Sequence, residues 1–174
     1  MLYYRSFTLV LCALLVSGCG FRPLFGGGRD SDAAVELATV HIEPISDRIG
    51  QQLHNHLLDL LNPSGRPAEP RYVLYVVLKG STQGRAIAKS ELSTRSNYNL
   101  AATFELVEAG SDELIVKGSK VVVSSYNVLK SNFGTLMAEK DAKTRAVREI
   151  SQYIRAKLSV FFVQLQADQD KRVR

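Results

Sequence analysis

Apolar residues in the first half of the chain follow the spacing of a strand and then the spacing of a helix. Residues 39–45 alternate, with Val40 and Ile42 on one face, which predicts a short strand. Ser46 and Asp47 come next, and both residue types commonly start helices. Apolar residues then recur at steps of three and four as far as Asn62; they are Ile49, Leu53, Leu57, Leu60 and Leu61. This spacing predicts a helix from about residue 47 to residue 61, ended by Pro63.

Three further strands are predicted in the middle of the chain. Residues 71–79 are β-branched or aromatic on both faces, as in an inner strand of a sheet. Residues 97–107 alternate, and a turn over residues 109–112 leads to a hairpin partner over residues 114–126. The polar outward positions of these strands favour a sheet that is covered on one side only. Residues 63–70 are typical of a loop, and residues 80–95 are polar and mixed in charge.

The longest predicted element is a helix over about residues 132–166. Its apolar stripe consists of Val147, Ile150, Ile154, Leu158, Phe161 and Leu165. At about 1.5 Å per residue such a helix approaches 50 Å. Its other faces are strongly basic; the residues are Lys140, Lys143, Arg145, Arg148, Arg155 and Lys157. These charges suit either lipid head groups or a solvated surface, and the spacing does not decide between the two.

The order of these elements is strand, helix, three strands, helix. It predicts an α+β fold, a two-layer sandwich in which about four mostly antiparallel strands carry two helices on one face. We expect a single domain over residues 35–166. Residues 167–174 carry no apolar pattern and are expected to fray.

The N-terminus has the layout of a secretory signal. Arg5 precedes an apolar run over residues 7–16 that is too short to cross a membrane, and small residues lead to Cys19. The segment from Val16 to Cys19 resembles the lipobox of bacterial lipoproteins. The resemblance implies that residues 1–18 are a signal peptide, that Cys19 is acylated, and that lipid anchors the mature chain. Signals that retain a lipoprotein in the inner membrane often have Asp directly after the acylated cysteine. This chain has Gly20 at that position, which favours the outer membrane.

Residues 19–34 are predicted to form a tether between the lipid and the domain. Three consecutive glycines and a cluster of Asp and Ser indicate flexibility. Phe21, Leu24 and Phe25 do not suit a pure linker. They suggest contact with the membrane or a partner near the anchor, although docking onto the domain is an equal alternative.

No pattern of catalytic or metal-binding residues stands out in the sequence. Of the two cysteines, Cys12 leaves with the signal and Cys19 is expected to carry lipid, so neither a disulfide nor a cysteine metal site is expected. His54 and His56 are two positions apart on the predicted helix and point in different directions. We therefore expect no enzyme, no metal and no cofactor. The net charge of +5 suits either a solvated surface or, beyond the secretion step, an anionic lipid or glycolipid rather than nucleic acid.

Several segments resemble one family of small lipoproteins. The start of the mature chain, Gly18-Cys-Gly-Phe-Arg-Pro-Leu-Phe25, is similar to the lipidated start of LPS-assembly lipoproteins of the LptE type. Residues 45–53 resemble the start of the first helix in the alphaproteobacterial branch. Residues 126–142, continuing through residues 148–151, resemble the final helix of that branch.

The resemblance implies a four-stranded sheet with two helices, and no catalysis. It also implies an outer-membrane lipoprotein on the periplasmic face that plugs the LPS-assembly β-barrel, assists its folding and contacts lipopolysaccharide. From charge and position, the candidate lipopolysaccharide contacts are Arg85, Lys89, Arg95, Lys117 and Lys120. The equal alternative is that these residues only make the edge of the sheet soluble. Two alternatives remain open: a scaffold or accessory subunit of another envelope assembly or lipid-transport machine, and a lipid-tethered hydrolase.

Overall fold

The computed structural model describes residues 32–85 and 94–173 and has an α+β fold. The predicted signal segment, Cys19, the three tether residues Phe21, Leu24 and Phe25, and Lys89 lie outside the described residues. In chain order the elements are α1 (Asp32–Ala38), β1 (Val40–Ile42), α2 (Asp47–Leu61), β2 (Tyr72–Arg85), β3 (Thr94–Glu108), β4 (Leu114–Val128) and α3 (Asn132–Val173). The predicted fold class is confirmed.

The four strands form one mixed sheet in the order β1-β2-β3-β4. β1 runs parallel to β2, and the other neighbours are antiparallel. The turn between β3 and β4 is closed by the Glu108 N–H, which donates to the Glu113 carbonyl at 3.0 Å. Gly110 and Asp112 have positive φ angles there, as tight turns often require. The predicted hairpin is therefore confirmed.

β2 and β3 extend further than the sequence predicts, because small residues occupy their inward positions. β2 continues past Lys79 to Arg85, and β3 begins at Thr94. At Gly80 an added Cβ would lie 2.5 Å from the Tyr98 hydroxyl oxygen, so the glycine makes room for this buried ring. Apolar alternation therefore does not predict the parts of a strand that consist of polar and glycine residues.

The core lies between the inner face of the sheet and the helices. Phe104, Leu106 and Leu100 of β3 are almost fully buried against the helical layer. The buried stripe of α3 matches the predicted one up to Leu158; beyond it Phe162 is fully buried, whereas the predicted Phe161 and Leu165 are only partly buried against the core. A step of four from Leu158 keeps the side chain on the core face, and the Phe162 ring lies 5.2 Å from that of Tyr72.

A third helix, α1, precedes the first strand and was not predicted. Its residues Ala33 and Leu37 are buried, one turn apart. The Asn62 side chain, itself buried at the end of α2, donates to the carbonyls of Ala38 at 3.1 Å and Val40 at 3.2 Å. These bonds tie the end of α1 and the start of β1 to α2. The helical layer therefore holds three helices rather than two.

The other helix bounds agree with the sequence at one helix and differ at the other. α2 begins at Asp47 and ends at Leu61, as predicted, although Ser46 makes no capping bond with its side chain. α3 has 42 residues and continues past residue 166 to Val173. At 1.5 Å per residue it is about 63 Å long. None of the helices that the structure describes combines the length and apolar content needed to cross a bilayer.

The outer side of β4 is an edge of the sheet. Arg145 of α3 reaches this strand, and its guanidinium donates to the Ser125 carbonyl at 3.0 Å. Arg145 also pairs with Asp141 one turn earlier on the helix. A side chain from the helical layer thus occupies a backbone acceptor of β4.

Candidate lipid and partner surfaces

One face of the sheet, which we call the open face, carries the outward side chains of β2, β3 and β4. The sequence predicts polar positions here, and β3 fits with Asn97, Asn99 and Thr103. The neighbouring strands do not fit, because Val77 of β2 is 61% exposed and Val121 of β4 is 63% exposed. The expectation of a polar outward face is therefore wrong for β4 at Val121 and Val123, whereas β2 was predicted to be apolar on both faces.

The register gathers these apolar side chains into a band across the open face. Ala101 of β3 lies between Lys79 of β2 and Val121 of β4. Two residues earlier on β3, on the same face, Asn99 lies beside Val123. Tyr75 and Val77 continue the band on β2, and both are exposed. Exposed apolar groups next to amides, hydroxyls and one lysine form a mixed surface of the kind that binds a partner.

Of the predicted lipopolysaccharide contacts, Arg85 and Arg95 lie together. They are register partners at the far end of the β2–β3 hairpin, where Arg95 also pairs with Asn127 of β4. The Arg95 side chain is exposed. We call this end of the sheet the tip. β4 ends at the tip, and the chain continues from there into α3.

Lys117 and Lys120 lie elsewhere. Lys117 pairs with Glu105 at 2.6 Å on the open face, ten residues along β3 from Arg95. That separation is about 33 Å, since a strand rises about 3.3 Å per residue. Lys120 points to the helical side, where it pairs with Glu149 at 3.1 Å and lies 5.6 Å from the Tyr153 ring. The described candidates therefore do not form one cluster.

The tip also carries an exposed apolar patch that the sequence pattern does not predict. We call it the tip patch; it consists of Leu129, Phe133, Leu136 and Met137. Phe133 is 72% exposed and Leu136 is 61% exposed. The signal was available: Ala138, Ala142 and Ala146 of the same helix face the core, and at 100° per residue Phe133 and Leu136 lie on the opposite side.

The junction that presents the tip patch is held by hydrogen bonds. The Thr135 hydroxyl accepts from the Leu129 N–H at 2.9 Å and lies 3.1 Å from the Leu129 carbonyl. Ser131 caps the helix, because its hydroxyl accepts from the Gly134 N–H at 3.3 Å. An added Cβ at Gly134 would lie 2.9 Å from a methyl carbon of Leu129. The patch is therefore built into the fold.

Ionisable groups show no catalytic arrangement among the described residues. Burial raises the pKa of Tyr98, and the Lys143 ammonium, 5.5 Å from its ring, opposes that shift. Burial also raises the pKa of Tyr72, so both phenols stay protonated at neutral pH. His41 lies 3.8 Å from Glu43, and the His54 ring contacts the Glu43 carbonyl at 3.3 Å. Within residues 32–85 and 94–173, no His, Cys, Asp and Glu residues gather in a group that could hold a metal.

The fold is similar to that of other bacterial proteins of known structure. It is similar to that of a lipoprotein from Caulobacter crescentus CB15, with a TM-score of 0.65 and 18% identity over 77% of this chain and 97% of that chain. A homolog of a neuraminyllactose-binding hemagglutinin from Helicobacter pylori has a TM-score of 0.50 and 13% identity over 72% of this chain and 87% of that chain. At such identities the likeness concerns the fold alone. No curated protein matches the chain in sequence.

The family follows from the sequence itself. The LptE family model, described as lipopolysaccharide-assembly, matches residues 37–158, which is well over half of the chain. The chain belongs to the LptE family. Its role therefore lies in lipopolysaccharide assembly, and it is an envelope-associated lipoprotein. The family consists of structural or assembly proteins and is not a known enzyme family.

Proposed function

We propose that this protein is the plug and assembly subunit of the outer-membrane barrel that delivers lipopolysaccharide to the outer leaflet. The observation that carries the proposal is the family match over residues 37–158. In this role the protein assists the folding of the barrel and stays bound inside it. It acts through surfaces, with neither a catalytic residue nor a cofactor.

The open face is the surface that we assign to the barrel. A barrel lumen is polar and hydrated, and Asn97, Asn99 and Thr103 suit such a wall. Val77 and Val121 add apolar contacts that lose water when the partner binds. The combination supports a lasting protein contact better than a purely polar face would.

The anchor is assigned to Cys19, with acyl chains that hold the protein on the periplasmic face of the outer membrane. Two or more chains give stable anchoring. Phe21, Leu24 and Phe25 follow the anchor directly and are assigned to contact with the membrane or the barrel next to it.

Lipopolysaccharide contact is assigned first to the tip. Arg85 and Arg95 occupy paired positions there, and guanidinium groups bind phosphate with two hydrogen bonds. Lys89 belongs to the segment between them and is kept as a third candidate. Lys117 and Lys120 are weaker candidates, because each already has a carboxylate partner.

Co-purification tests the proposal. The tagged, lipidated chain is isolated in mild detergent, and the proteins that accompany it are identified. We expect a large outer-membrane barrel in near-stoichiometric amount. Recovery as a lone monomer, or with an inner-membrane lipid transporter or a different envelope assembly, would refute the proposed role.

A variant directs this test at the open face. Replacing both Val121 and Val123 with lysine puts two charges on the apolar band without touching the core, and we expect at least about a tenfold loss of recovered barrel. The matched control replaces Val160 and Val163, exposed residues of α3, with lysine. Equal recovery from both double variants would remove the open face from the proposal.

A further inference from the structure

The first two turns of α3 expose their large apolar side chains and turn small ones to the core, which is the reverse of what a helix that only packs on a sheet requires. Phe133, Leu136 and Met137 are exposed, whereas the side that meets the core carries the small residues Ala138 and Ala142. A surface helix normally buries its largest apolar side chains. Exposed apolar patches of this kind mark sites of interaction.

The charges beside the patch narrow the choice of ligand. Lys130 follows Leu129 in the chain, and Lys140 lies on the face of Phe133 and Leu136, one turn further along; both are exposed. Neither lysine has an ion-pair partner among the described residues. By contrast, Lys143 and Arg145 of the same helix are paired with carboxylates one turn earlier.

Apolar side chains flanked by uncompensated ammonium groups complement a lipid with acyl chains and anionic head groups. A protein partner is a poorer match, because lysine is depleted at protein interfaces. Flexible lysine stems can lie along apolar surface while their charges reach phosphate. Arg95, at the same end of the sheet, adds a further exposed cation.

We infer that the tip patch binds the acyl chains of lipopolysaccharide, while Lys130 and Lys140 bind its phosphates. The inference rests on the proposed function and extends it, since the tip then holds the lipid part of the molecule as well as its charge. Phe133 and Leu136 insert between acyl chains. The hydrogen bonds of Thr135 and Ser131 keep the helix start in place while they do so.

Photo-crosslinking in cells identifies what touches the patch. Phe133→p-benzoylphenylalanine and, separately, Leu136→p-benzoylphenylalanine are introduced into the full chain, with Val160→p-benzoylphenylalanine as the matched control on the same helix. We expect lipopolysaccharide adducts from the first two positions and none from the control. Adducts with phospholipid alone, with the barrel alone, or of equal yield at all three positions would overturn the inference.

Binding measurements separate the acyl contact from the charge contact. The full chain, held in phosphatidylcholine nanodiscs, is titrated with intact and with deacylated lipopolysaccharide. We expect the intact form to bind at least about tenfold more tightly. Phe133→Ser combined with Leu136→Ser should abolish that difference and leave binding of the deacylated form unchanged.

Two further variants complete this test. Lys130→Gln combined with Lys140→Gln should weaken both ligands by about the same factor, and Val160→Ser should change neither. If the unaltered chain binds both ligands equally, the acyl site is refuted while the barrel role stands. If it binds neither ligand but still co-purifies with the barrel, lipid contact is refuted; loss of co-purification refutes the proposed function instead.

Discussion

Gly118→Ala tests how tightly the sheet is packed against α3. Gly118 is the register partner of Phe104 on the inner face, and Phe104 is 1% exposed. An alanine Cβ at position 118 would lie 2.6 Å from Phe104 Cε1 and closer still to Cζ. The ring cannot turn away freely, because it packs edge-on against Tyr153 with 6.3 Å between the centroids.

Two opposing effects set the magnitude. Alanine is favoured over glycine inside a strand by about 0.5–1 kcal/mol. Overpacking a filled core costs about 1–3 kcal/mol. We therefore expect a net loss in the free energy of unfolding of about 1–2 kcal/mol. Without the clash, the substitution would stabilise the protein.

Urea denaturation followed by circular dichroism measures this change, with Ser119→Ala, the next residue on β4, as the control. Phe104→Leu removes the atoms that clash, so Gly118→Ala should cost less in that background than in the unaltered chain. A Gly118→Ala variant as stable as the unaltered protein, or a loss that is the same in both backgrounds, would refute the packing argument.

Three further predictions concern other contacts. Asn62→Ala removes two hydrogen bonds, one buried and one partly buried, and should cost about 2–3 kcal/mol. Amides of α1 and β1 should then exchange with solvent faster, and unchanged exchange would contradict the role of Asn62 in holding them. Burial raises the pKa of Tyr98, so its contribution to stability is complete below pH 10 and is lost as the pH rises further; Tyr98→Phe should flatten that decline in urea midpoints, and an unaltered decline would exclude Tyr98 as its source. Lys120→Met breaks the partly exposed pair with Glu149 and should change stability by less than about 1 kcal/mol, which a larger loss in thermal denaturation would contradict.

The spacing of nearby apolar residues is enough to predict an element that is long and has one clearly apolar face. α2 was predicted to its end residues, because leucines at helical spacing stop at Asn62 and Pro63. The β3–β4 hairpin was predicted because alternation flanks a turn with Gly110 at its centre. In both cases the information lies within about fifteen residues, which a single sequence can supply.

The remaining elements depend on contacts between distant residues. α1 has seven residues, too few to form a helix alone, and it is held by Asn62. The end of β2 was missed because Gly80 serves Tyr98 on the neighbouring strand. The full burial of Phe162, next to a Phe161 that is only partly buried, follows from the rotation of a long helix relative to the sheet.

The candidate surfaces were only partly predictable for a similar reason. Charge and position suggested Arg85 and Arg95, but only the register of β2 and β3 brings them side by side. Strand alternation places Lys117 and Lys120 on opposite faces, but only the packing shows that Lys120 is the one that faces the helices. The tip patch was missed because apolar residues in a helix are normally assigned to the core.

The hydrogen bond from Arg145 to the Ser125 carbonyl affects how identical chains can associate when no other partner is bound. A long strand at the edge of a sheet invites a second copy to add itself by backbone hydrogen bonds. The guanidinium already occupies one of the acceptors that such a neighbour would need. Two identical chains are therefore less able to pair along β4, and the open face remains available to a different protein.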